Sequence, residues 1–123
     1  MRATVILLGL LGFAARLAPA QDPVKVDPAH YKVQFENDQV RVLRITYGPH
    51  DKSVMHSHPA GVAVFLTDTK GQFTLPGGKV QLDSAKAGET RWVDAGSHLP
   101  ENLTDKPFEL ILVEMKARLP ARR

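Results

Sequence analysis

The sequence predicts an all-β domain, a jelly-roll sandwich or barrel of about eight short strands. Three observations carry this. β-forming runs recur at intervals of roughly eight to twelve residues, punctuated by Gly, Pro, Asn and Asp. Beyond residues 1–20, no segment holds an apolar pattern of helical period over a useful length. A hairpin signal, Pro76-Gly77-Gly78, sits between two of the runs. A closed or double-sheet jelly roll also solves the edge-strand problem in a chain of this size.

Residues 1–20 read as a secretory signal. Met1-Arg2-Ala3-Thr4 is a short basic start, Val5 to Ala15 is apolar, and Ala18-Pro19-Ala20 supplies the small residues of a cleavage site before Gln21. The apolar run is about half the ~20 residues that a spanning helix needs. Residues 21–30, with Pro23 and Pro28, read as an extended N-terminal arm. The domain proper then covers 31–117, and 118–123 is a basic tail with Arg118, Arg122 and Arg123.

Within the domain the runs follow in order. Val33-Gln34-Phe35 is broken by Glu36-Asn37-Asp38, and Val40 to Tyr47 is stopped by Gly48-Pro49. Val62 to Leu66 is apolar throughout, as a strand buried on both faces would be. Asp68-Thr69-Lys70-Gly71 reads as a turn. Gln72 to Leu75 and Lys79 to Leu82 flank the hairpin tip. Lys86-Ala87-Gly88-Glu89 is a second turn, and Thr90 to Val93 and Phe108 to Met115 complete the set.

Composition narrows the chemistry. The formal charge of +3 includes Arg2 and Arg16 of the signal, so removing those two leaves +1. A nearly neutral body argues against a nucleic-acid partner or a membrane-surface footprint, and a cleaved signal leaves no stable membrane insertion. There are no cysteines. Thiolate metal sites, iron–sulfur clusters and cysteine nucleophiles are therefore excluded. An exported domain without disulfides must be held by its core, helped by a bound ion if one is present. No G-x-S-x-G elbow, H-E-x-x-H pair or phosphate-binding glycine loop is present.

The chemistry that remains centres on histidine. His56-Ser57-His58 places two imidazoles on one face of a strand, because residues i and i+2 point the same way. A third, His98, follows forty positions after His58 in Asp94-Ala95-Gly96-Ser97-His98-Leu99-Pro100-Glu101-Asn102. Three imidazoles are half of an octahedral site and leave positions open, as a catalytic centre does. The ligand vocabulary suits one divalent transition metal: Fe, Mn, Ni, Cu or Zn.

The flanks of these histidines resemble a known family. Gly48 followed by His56-x-His58 leading into an apolar strand resembles the first motif of the cupin superfamily. Gly88, five residues, Asp94-x-Gly96, His98 and, after three more, Asn102 resembles the second. The resemblance runs from about Gln34 to Lys116 and implies a cupin-like double-stranded β-helix, of the small single-domain secreted bacterial kind. The pattern departs in three places. Asp94 stands where the family has Pro, and one residue rather than two separates Gly96 from His98. The carboxylate ligand expected shortly after the second histidine is missing, its place taken by Val62 and Ala63. The resemblance then implies a centre of His56, His58 and His98 alone, as in thiol and β-diketone-cleaving dioxygenases, which use Fe(II) without a carboxylate. The same departure removes a negative charge, which favours a metal-free scaffold.

Other residues are candidates for supporting roles. Glu101 is a candidate catalytic residue that orients a histidine or shuttles protons at the cavity mouth, or else a solvated turn residue. Glu114 alternates with Phe108, Leu110 and Leu112 and is either inward or at an edge. Gln72 offers a polar group to a cavity, and Trp92 is the aromatic expected to line one. Gly96 and Asn102 belong to the second-motif turn, where Asn102 supplies turn hydrogen bonds. His30 and His50 fall in loop contexts and are expected at the surface.

Three functions follow. The first is an exported mononuclear metalloprotein, an oxidoreductase of the dioxygenase type acting on a small-molecule substrate. The second is a non-catalytic metal- or small-molecule-binding module. The third is a metal-free scaffold. A secreted or periplasmic location follows from the signal, and a homodimer from the resemblance.

Overall fold

The structure is a computed structural model that describes residues 21–117. The expected signal and basic tail lie outside the described residues. Nine strands form two antiparallel sheets: β1 (Tyr31–Glu36), β2 (Val40–Tyr47), β3 (His56–His58), β4 (Gly61–Phe65), β5 (Thr69–Thr74), β6 (Val80–Ala85), β7 (Thr90–Val93), β8 (Gly96–Asn102) and β9 (Phe108–Met115). One sheet runs β1-β2-β9-β4-β7, the other β3-β8-β5-β6. This is the all-β jelly roll that the punctuation predicts, with one strand more than expected.

Period-2 alternation builds the core. On β2, Leu43, Ile45 and Tyr47 are buried while Arg44 and Thr46 lie on the other face. Their in-register partners on β9 are Leu112, Leu110 and Phe108. Ala63 and Phe65 of β4 continue the same layer, with Tyr31 from β1. Gly61 is required where β4 crosses β9, because a Cβ there would collide with the Val113 carbonyl. The hairpin tip has Gly77 and Gly78 at φ 91° and 94°, which an L side chain rarely adopts.

Some segments differ from expectation. The arm is not extended throughout. It carries one helical turn, α1 (Pro23–Val26), because the Asp22 carboxylate caps the Val24 amide at 3.0 Å and Pro23 presets φ. Thr69, Lys70 and Gly71 begin β5 instead of forming a turn, since they pair with Ala85, Ser84 and Asp83. Gly96 to Asn102 is a strand rather than a turn, with Gly96 opposite His58 and Asn102 opposite Gly71. β4 is buried on one face only; Val62 and Val64 face outward and are half-buried. Among the described residues, no helix is long and apolar enough to cross a membrane.

The arm bridges the two sheets. The Gln21 carbonyl accepts from the Ser57 amide on β3 at 3.0 Å. The Asp22 carboxylate takes both terminal nitrogens of Arg41 on β2, at 2.7 and 2.9 Å. On the opposite side, Arg91 of β7 reaches Asp83 of β6 at 2.8 Å. Both open seams of the sandwich are thus closed by an arginine–aspartate pair.

Candidate functional site

β3 and β8 pair antiparallel with His56 directly opposite His98 and His58 opposite Gly96. Opposed residues share a face, so all three imidazoles project inward between the sheets. The ring centroids of His56 and His98 are 5.0 Å apart, and those of His58 and His98 4.7 Å. Phe73 of β5 stacks on His98 at 4.6 Å and 6°. The loop before β3 is zipped onto β8 by Ser53 N to Pro100 O at 2.9 Å and Asn102 N to Asp51 O at 2.8 Å. That register delivers His56 to its place.

Two rings are oriented by the main chain. The His56 Nδ1–H donates to Val54 O and the His58 Nδ1–H to Pro59 O, each at 2.9 Å. With Nδ1 the donor, each neutral ring presents Nε2 as an acceptor. The His56 Nε2 receives the Tyr31 hydroxyl at 3.2 Å, and Tyr31 in turn accepts from Tyr47 at 2.6 Å. Burial holds His56 below the ordinary histidine range. His98 is pushed down to about 3, first by burial and then by the neighbouring His58 and His56. Burial also raises both tyrosines. His56 and His98 are therefore uncharged near neutrality.

The three histidines, Tyr31 and Tyr47 floor a cavity of about 140 Å³ whose walls are mostly apolar, among them Ile45, Ala63, Phe65 and Leu110. At the far end stands Arg91, which is fully engaged. It bonds Asp83, the Ser84 carbonyl at 2.8 Å and Glu89 at 3.0 Å, and its guanidinium lies 4.9 Å over the Phe65 ring. Pro23 of the arm is buried against the cavity.

The remaining sequence candidates separate. Gln72 and Glu101 contribute to the cavity wall, yet they oppose each other on β5 and β8 in the phase opposite to Phe73 and His98. Their side chains thus meet on the outer face of the sheet, Gln72 Nε2 donating to Glu101 at 2.7 Å. Glu101 is bonded to Gln72 rather than to a histidine. Trp92 also points away: it is 58 % exposed and bonds Asp94, because its neighbours Arg91 and Val93 take the inward phase of β7. Glu114 does face inward, but one layer beyond the cavity, where it binds Arg41 at 2.6 Å. Gly96 shows no turn conformation and no close contact that would require glycine. Asn102 is fully buried and clamps loops, donating to Gly48 O and Lys106 O and accepting from Thr104. His50 lies at the surface beside Asp105, whereas His30 is largely buried, stacked on Tyr47 and bonded to Asp27 and Asp51.

The sequence reading missed Tyr31 and Tyr47. Tyr47 was legible from its phase, since it shares parity with Leu43 and Ile45; Tyr31 needs the pairing of β1 with β2.

The donor set suits a borderline divalent ion in kind: imidazoles, two of them fixed through Nδ1 by carbonyls. As the side chains stand, however, no three His, Asp or Glu among the described residues are arranged to hold an ion. The His56 Nε2 is bonded to the Tyr31 hydroxyl instead.

Two antiparallel sheets rolled around an interior histidine cluster define a double-stranded β-helix protein. A cupin-domain protein from Bordetella pertussis Tohama I superimposes with a TM-score of 0.66 at 25 % identity, over 71 % of this chain and 92 % of that one. A Klebsiella pneumoniae protein with a double-stranded β-helix domain gives 0.56 at 18 % identity, over 69 % and 74 %. The polyketide cyclase RemF from Streptomyces resistomycificus gives 0.55 at 14 % identity, over 73 % and 66 %. A scan against protein-family models and a search of curated proteins find no match. The chain has the double-stranded β-helix fold of cupin proteins.

Proposed function

We propose that this cupin is exported and handles a small molecule in its interior cavity, with His56, His58 and His98 binding one divalent transition metal. The observation that supports the reading is the convergence of three imidazoles on a mostly apolar cavity, two of them oriented through Nδ1. A bound ion would supply Lewis acidity and open coordination positions, and, if it is Fe, the oxidoreductase chemistry of a dioxygenase. The chain's own residues do the rest. The carbonyls of Val54 and Pro59 hold two rings in the ligating tautomer. Tyr31 and Tyr47 place a hydroxyl pair beside the reacting volume, and Phe73 fixes the plane of His98. The apolar walls exclude water, which strengthens polar contacts at the floor. The location is secreted or periplasmic and the partner a small molecule, without nucleic acid or stable membrane insertion. A homodimer completes the proposal.

The test is metal content after export and reconstitution with Fe, Mn, Ni, Cu and Zn. About one equivalent is expected, lost in His98→Ala. Tyr31→Phe should tighten binding, because it releases the His56 Nε2. Content near zero with every metal would overturn the metal assignment.

One observation favours a second reading. The Tyr47–Tyr31–His56 chain satisfies His56 without an ion, as a metal-free binding cavity requires.

A further inference from the structure

The cavity's chemistry specifies its occupant more narrowly than "small molecule". Its volume, about 140 Å³, is close to the ~150 Å³ of an apolar cavity that holds benzene. Its charged groups are already committed. Arg91 is bonded to two carboxylates and a carbonyl, and Asp83 is one of those partners. The remaining nearby carboxylates point elsewhere: Glu101 to the outer face with Gln72, and Glu114 to Arg41 one layer beyond. A charged ligand would lose its hydration and find no free counter-ion.

The polar floor is directional. The Nδ1–H of His58 is spent on Pro59 O, so its Nε2 offers a lone pair. The Tyr31 hydroxyl donates to His56 and accepts from Tyr47, which leaves it one acceptor position. Both groups call for a donor on the ligand. Around them the Phe65, Phe73, Leu110 and Ile45 side chains provide apolar surface for a ring.

We propose that the cavity binds a small uncharged ring compound carrying a hydroxyl group, of phenol or cyclohexanol size, with its O–H donated to the His58 Nε2 or the Tyr31 oxygen. This rests on the small-molecule half of the proposed function and not on the metal.

The test is titration of the chelator-treated mature chain, followed by NMR and calorimetry, with phenol, cyclohexanol, anisole, benzoate and benzylammonium. Phenol and cyclohexanol should bind saturably and shift the Phe73 and Ala63 resonances. Anisole, which keeps the ring but cannot donate, should bind about fivefold more weakly. Benzoate and benzylammonium should be at least about tenfold weaker than phenol. Ala63→Leu, which fills the cavity from its buried wall, should weaken every ligand while circular dichroism stays unchanged. If that variant does not fold, the ligand series on the unaltered chain decides. The proposal is overturned if benzoate or anisole matches phenol, if nothing binds saturably, or if a folded Ala63→Leu binds phenol unchanged. Metal content is measured separately, so failure of the metal assignment and failure of the ligand class are distinguishable.

Discussion

Arg41→Met should be the most damaging single change to a charged residue in this protein. Arg41 sits on the inward face of β2, its side chain 18 % exposed, and it holds two carboxylates. One of them, Glu114, is 2 % exposed in its side chain, and its Oε2 has no hydrogen-bond partner among the described residues. Among the described residues, its other oxygen is held by the Nε–H of Arg41 at 2.6 Å. Removing a partner from a buried ion pair costs about 3–5 kcal/mol, because the remaining charge is left uncompensated. The Asp22 arm contact is lost as well, but that carboxylate is 30 % exposed and adds at most about 1 kcal/mol. For a domain near 100 residues each kcal/mol lowers Tm by about 4–8 °C, so the midpoint should fall by more than about 12 °C. Thermal and urea unfolding followed by circular dichroism measure this. Arg41→Met combined with Glu114→Leu should recover most of the loss, since no charge is then stranded. A loss below about 1 kcal/mol for Arg41→Met alone would refute the reasoning, because that is the size of an exposed pair.

Three further outcomes are expected. The bonds from His30 to Asp27 and Asp51 outweigh its burial and raise its pKa above 6.5. Its contribution is therefore complete below about pH 6.5 and lost as pH rises through the raised value, so Tm should decline over that window and His30→Gln should abolish the decline. Gly61→Ala should destabilise by several kcal/mol or prevent folding, read as loss of soluble protein, because its Cβ strikes the Val113 carbonyl. Gly96→Ala, with open space at the same atom, should leave Tm within about 1 °C of the parent and serves as the control.

Much of this architecture is legible in the sequence, and the errors share one physical cause. Alternation says which residues share a face but not which face is inward. For His56 and His58 parity alone brings the two rings together. Bringing His98 to them needs the antiparallel register of β3 with β8, which no local pattern contains. Trp92 is expected at the cavity because its strand leads into His98, whereas the phase of β7 is set by Arg91 reaching Asp83 across the seam. Glu101 is more instructive. It lies three residues from His98, and in a strand that separation reverses the face. Reading Gly96 to Asn102 as a turn hid a parity that the sequence does contain. The arm shows the opposite case: Asp22-Pro23 is a local capping signal that the two prolines outweighed in the reading.

The strand bearing His56 and His58 is three residues long and lies at the edge of its sheet. It pairs with β8 by one ladder and, on its other side, the Ser57 amide donates to the Gln21 carbonyl. This edge is also tied to the second sheet: the Ala60 carbonyl accepts from the Met115 amide at the end of β9, and the His56 ring is bonded to Tyr31 of β1. Local opening free energies follow such connectivity. Opening of this edge is therefore coupled to the Tyr31 and Ala60 contacts, and amide exchange at Ser57 reports it. The arm residue that meets β3 immediately precedes Asp22, which grips Arg41 on β2, so the histidine edge and the opposite sheet are tied through two consecutive residues of the arm.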